Sequence, residues 1–157
     1  MAAIFVRRES SVRKGILILA TVAMGLWLMG STSAGASAMP TGVTIHTLRT
    51  DTDTWSATGA ITDAGTFVDP TEFFAGSSST FHVTRVFAGD AGRFTVVGNV
   101  RIVPSSDPDV GFFVAGTWAI TSGTGAYANA HGRGVINEEL VAAGLVGTWT
   151  GTIVFAP

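Results

Sequence analysis

Residues 116–155 read GTWAITSGTGAYANAHGRGVINEELVAAGLVGTWTGTIVF, and their spacing decides the fold. The same Gly-Thr-Trp element occurs at 116–118 and at 147–149, on either side of a glycine-rich corner at 122–134. In the second run Leu145, Gly147, Trp149, Gly151, Ile153 and Phe155 fall on one side of an extended chain, and Thr148, Thr150 and Thr152 on the other. Side chains along a strand point alternately to opposite faces, so this pattern marks a half-buried strand. Glycines among large apolar residues suit a small closed barrel, where inward side chains converge and aromatics fill the lumen.

The same design recurs upstream. Val110, Phe112, Val114, Gly116, Trp118 and Ile120 share one face, as do Phe94, Val96, Gly98, Val100 and Ile102, and again Trp55, Ala57, Gly59 and Ile61. Beyond residue 38 no window holds a helical period, and only 126–130 suggests a helical turn. Alternating runs predict eight strands, at 43–49, 54–62, 66–74, 79–87, 93–103, 110–121, 132–140 and 145–155. Asp63-Ala64-Gly65, Ala88-Gly89-Asp90-Ala91-Gly92, the proline-bounded 104–109 and Ala142-Ala143-Gly144 read as the connecting turns. The fold class expected is therefore all-β, an eight-stranded antiparallel up-and-down barrel. A two-sheet sandwich is the alternative, but even hairpin spacing without a long crossover favours the barrel.

Residues 1–38 stand apart from this domain. Arg7, Arg8, Arg13 and Lys14 precede an apolar run at 15–30, and Ala36-Ser37-Ala38 forms an A-x-A cleavage pattern. These are the parts of a secretory signal peptide, and the apolar run falls short of the roughly 20 residues a membrane span needs. The expectation is an exported protein whose single mature domain covers 39–157, with no membrane association after cleavage. That domain keeps five arginines and no lysine against ten acids, a net charge of −5, which opposes binding to nucleic acid. Cysteine is absent, so neither a disulfide nor thiolate chemistry enters.

The run GTWAITSGTGAYANAHGRG at 116–134 resembles the G-x-W-x-I-x-x-G-T-G-x-Y-x-x-x-x-G-x-G pattern of the allene oxide cyclase-like and dirigent-like barrels, including small exported bacterial members. The specific likeness spans about 20 residues; beyond it only the strand rhythm corresponds. It implies an eight-stranded barrel with a central cavity that often associates through its outer strand faces. It does not carry over catalytic residues, which in those families lie in early strands where nothing here aligns.

Arg85 is the most informative single residue. It shares a strand face with Phe81, Val83 and Phe87, so an apolar surface carries one guanidinium. Facing inward, it needs a carboxylate partner or a ligand oxygen to anchor. A structural ion pair, or snorkelling to the barrel mouth, is the alternative. Asp69, Glu72, Glu138 and Glu139 are the candidate partners. Asp69 precedes Pro70, where the strand kinks, so its face stays open. Glu138 alternates with Ile136 and Leu140 and is the inward acid of its pair. Buried carboxylates can serve as general acid or base, making Arg85, Glu138 and Glu72 the catalytic candidates. Tyr127 should pack back across the glycine corner and find a partner for its hydroxyl. Trp118 and Trp149 are chiefly core; with Arg85, Tyr127 and Asp69 they are what a ligand in the lumen would touch.

His46 and His82 fall on outer faces and His131 in the corner, without paired ligand spacing, so no metal or other cofactor is expected. The 122–134 glycines do not open a helix between parallel strands and are not a phosphate loop. Outward Phe113, Val97 and Val86 suggest an exterior that a second copy could cover. Three functions follow, in order of preference: binding of a small apolar or aromatic ligand in the lumen, an interaction barrel with a filled lumen, and a cofactor-independent cyclase or isomerase.

Overall fold

The computed structural model describes residues 38–77 and 79–157; the expected signal segment, apart from its last residue, lies outside the described residues. Eight strands follow one another: β1 (Thr41–Arg49), β2 (Thr54–Gly59), β3 (Asp63–Ser77), β4 (Thr80–Gly89), β5 (Gly92–Pro104), β6 (Phe112–Gly125), β7 (Ala130–Val141) and β8 (Gly144–Phe155). Each pairs antiparallel with the next, and β1 pairs with β8, with Ile45 opposite Trp149, to close an up-and-down barrel. Closure leaves no strand edge unpaired, so the backbone ladder is continuous without disulfides.

Alternation governs the inner face. In β4 every second residue is buried, from Phe81 through Val83 and Arg85 to Phe87, and neighbouring positions are only partly covered. Trp55, Phe87 and Phe94 form a tight group with ring centroids 4.8–5.4 Å apart. Trp149 meets Phe87 edge-on at 5.6 Å and leans against Trp118 at 6.5 Å. Fully burying a large apolar side chain is worth about 1.5–3 kcal/mol, so this ring stack contributes several such increments to the stability of the core.

The connections alternate between the barrel's two ends. The β2–β3, β4–β5 and β6–β7 turns share one end with both described chain termini; the other four connections surround the opposite end. Two turns differ in position from the sequence expectation. Asp63, Ala64 and Gly65 begin β3, opposite Ala57, Ser56 and Trp55, and residues 60–62 make the turn instead. Gly59, at φ 95°, ends β2, while Gly65 presses against the Ala88 carbonyl with no room for a side chain. Gly65 is thus a close-approach glycine, not a turn glycine. Likewise β6 continues to Gly125, where a φ of 61° reverses the chain into a four-residue turn at 126–129.

One irregularity shapes the interior. In the β3–β4 ladder Phe67 faces Phe87 and Val68 faces Val86, but the next pairs are Thr71 with Thr84 and Glu72 with Val83. Asp69 and Pro70 together oppose Arg85, forming a β-bulge. Proline has no N–H to give a ladder and is tolerated at such a break. The bulge shifts the alternation by one, so Phe67, Asp69 and then Glu72 all lie on the lumen side.

Candidate functional site

A cavity of about 130 Å³ occupies the lumen at the end opposite Tyr127. Its walls are apolar, with Phe81, Val83, Val100, Ile102, Phe112, Val114, Ile136 and Leu145 contributing, and Trp149 helps to floor it. Four strands deliver its ionised groups: Arg49 from the end of β1, Asp69 and Glu72 from either side of the β3 bulge, Arg85 from β4 and Glu138 from β7.

Arg85 is 3% exposed, and each of its three nitrogens donates to a neighbouring carboxylate. Its Nε donates to Asp69 Oδ1 at 2.7 Å and Nη2 to Asp69 Oδ2 at 2.9 Å, a two-toothed pair. Its Nη1 donates to Glu138 Oε1 at 2.9 Å. The guanidinium carbon lies 4.2 Å from the Phe67 ring centre and 4.9 Å from that of Trp149, so aromatic faces accompany the charge. Burial strips water from the cation and by itself disfavours the charge. The hydrogen bonds and charges of Asp69 and Glu138 outweigh that loss and raise its pKa above the usual arginine value.

Glu138 gathers three donors on one oxygen. Besides Arg85, the Trp149 indole N–H donates to Oε1 at 2.9 Å and the Thr47 hydroxyl at 3.4 Å. No described residue donates to Oε2, which nevertheless is not sealed from solvent: among the described residues the one buried side-chain polar atom without a partner is Trp118 Nε1. Glu138 borders the cavity, so Oε2 is an acceptor open to it. Arg49 also donates to Asp69 Oδ2 through Nη2 and approaches Glu72 at 4.0 Å and Asp53 at 3.6 Å. Glu72, 42% exposed at its side chain, stands at the rim.

The sequence candidates therefore separate into two groups. Arg85, Glu138, Asp69, Glu72 and Trp149 converge on one cavity. Trp118 lies deeper, its indole against Gly134 and Gly151, and Tyr127 belongs to the opposite end. There the Tyr127 hydroxyl donates to Asp63 Oδ2 at 2.7 Å and its ring packs edge-on against Phe94 at 5.2 Å. Asp63 also accepts from the backbone N–H groups of Ala64, Asp90 and Ala91, tying three turns together. The Tyr127 hydrogen bond, ahead of these backbone donors, lowers the Asp63 pKa; burial and the Asp63 contact raise that of Tyr127.

Two participants escaped the sequence reading. Thr47 and Arg49 alternate with Val43 and Ile45 on the inner face of β1, and that parity was the available signal. A threonine and a terminal arginine are so common on outer strand faces that parity alone does not single them out.

Comparison of the chain with protein-family models, with characterised proteins and with solved structures returns no match. The fold and the cavity thus define the class by themselves: a closed eight-stranded antiparallel barrel with an ion-paired chamber at one end.

Proposed function

We propose that this protein is an exported barrel that binds one small, mainly apolar molecule at the open end of its lumen. The observation that carries the reading is the chamber itself: about 130 Å³, walled by aliphatic and phenyl side chains and floored by the Arg85–Glu138 pair. An apolar protein cavity of roughly 150 Å³ holds benzene, so this one matches a single ring or a short aliphatic chain. The rest of the lumen is filled with aromatic side chains, which limits the ligand to this end. Export is supported by the basic segment, apolar run and A-x-A pattern at 7–38. Kinship with the allene oxide cyclase-like and dirigent-like barrels is supported by the 116–134 motif together with the closed eight-stranded topology.

The test is calorimetric or NMR titration of the purified protein with toluene, alongside a Val114→Phe variant that fills the chamber. Val114 is 3% exposed and lines the wall, so the larger ring takes the ligand's space. Saturable binding by the wild type that disappears in V114F is the expected result. Toluene binding that survives V114F unchanged would place the ligand elsewhere, and the reading would fall.

A further inference from the structure

The charges lining the chamber do not balance, and one carboxylate oxygen there takes no hydrogen bond from a described residue. Resting on the lumen-binding reading, we infer that the polar end of the ligand is a hydrogen-bond donor, a hydroxyl or an ammonium group, received by Glu138. Arg85, the obvious anchor for a carbonyl or carboxylate, already spends three of its five N–H groups on carboxylates of the barrel. Each of its three nitrogens donates one N–H to Asp69 or Glu138, and its central carbon lies near the rings of Phe67 and Trp149. Arg49 at the rim is committed to Asp69 and lies close to Glu72 and Asp53. The Trp149 indole N–H is used by Glu138.

Acceptors, by contrast, remain. Glu138 Oε2 takes no hydrogen bond from any described residue, and Glu138 lines the chamber. The ionised side chains lining the chamber are three carboxylates and two guanidiniums, an excess of one negative charge. An entering anion would meet that excess in a poorly solvated space, beside two cations that are each already paired with a carboxylate. A donor entering the same space satisfies Oε2, and burying an acceptor without a partner is the costlier outcome. Arg85, Trp149 and Thr47 all donate to Oε1, which holds the carboxylate in place and leaves the second oxygen to receive the ligand.

Five probes built on one benzene ring separate the alternatives: toluene, benzyl alcohol, benzylamine, benzaldehyde and benzoate, titrated at pH 7 and low salt. Benzylamine and benzyl alcohol are expected to bind about tenfold or more tightly than toluene, since a hydrogen bond to a charged acceptor is worth at least that factor. Benzaldehyde and benzoate should bind no better than toluene. In Glu138→Gln, which keeps an acceptor oxygen but loses the charge, the advantage of benzylamine should shrink about tenfold. Should that variant not fold, the wild-type series decides alone. Benzoate or benzaldehyde binding as well as benzylamine would return the anchoring role to Arg85 and overturn the inference. Toluene binding as tightly as benzyl alcohol would overturn it too, while leaving lumen binding intact. Failure of all five probes, toluene included, would remove both readings.

Discussion

Glu138 and Gly147 face each other across β7 and β8, and the missing side chain at Gly147 is what leaves space for the carboxylate. A methyl group built there would stand 2.9 Å from Glu138 Cγ and run into the Thr47 hydroxyl. The glycine of the second Gly-Thr-Trp element thus relieves crowding at one defined point, the seat of the buried acid.

Gly147→Ala should therefore cost about 1–3 kcal/mol, the usual range for overpacking, and should weaken benzylamine binding by displacing Glu138. Gly42→Ala is the matched control. A Cβ at Gly42 meets nothing within 4 Å, so that variant should be neutral or slightly stabilising. Urea unfolding midpoints of the two variants make the comparison; equal losses would mean that Gly147 has no special role.

Arg85→Met removes the cation and leaves Asp69 and Glu138 buried with one fewer partner. Breaking a buried ion pair in this way typically costs about 3–5 kcal/mol. Adding Glu138→Gln to the same chain should recover part of the loss, because the second substitution removes the stranded charge. A double-mutant cycle by denaturant unfolding measures the coupling. Additive losses would show that the two groups do not sense each other.

The Tyr127–Asp63 contact predicts stability lost at both extremes of pH. Asp63 has a lowered folded pKa, so its contribution is complete above its ordinary value of 3.8 and disappears as pH falls below that point. Tyr127 has a raised folded pKa, so its contribution is complete below its ordinary value of 10.0 and disappears as pH rises through the alkaline range above it. Tyr127→Phe should cost about 1–2 kcal/mol between these limits and progressively less outside them. Thermal unfolding of both proteins across pH 2–12 checks the profile; a difference independent of pH would sink the assignment.

The two tryptophans at 118 and 149 should respond differently to the same change. Trp149 donates its indole N–H to Glu138, whereas Trp118 Nε1 is buried without a partner among the described residues. Trp149→Phe loses a charge-assisted hydrogen bond, and Trp118→Phe removes an unsatisfied donor while creating a similar void. The first substitution should thus be the more damaging by about 1–3 kcal/mol in unfolding free energy. An equal or reversed order in unfolding experiments would contradict the hydrogen-bond assignment.

Strand rhythm was legible because its period is local. Phe112 through Ile120, Phe94 through Ile102 and Leu145 through Ile153 each declare their inner face by alternation alone, and that face is the more buried one; Phe155, at the end of β8, is exposed, and Val110 precedes β6. The same rule placed Arg85 and Glu138 inside. It could not follow β3 past Pro70, because the bulge there changes which residues face the lumen. Nor could it distinguish Gly65, packed against a carbonyl, from a turn glycine: both carry the same letter, and only the neighbour differs.

Sequence by itself determined the strands, their inward faces, the absence of cysteine chemistry and the presence of a charged pair on apolar strand surfaces. Tertiary structure decided which charge meets which. Closing the barrel brings Glu138 to Arg85 across 53 residues of chain and Thr47 to Glu138 across 91. Asp69, on the lumen side by its alternation with Phe67, meets the same guanidinium, and the bulge brings Glu72 to that side as well. Alternation is a property of one strand, whereas ion pairing, cavity shape and the open Glu138 oxygen arise only when β1, β3, β4, β7 and β8 share one lumen.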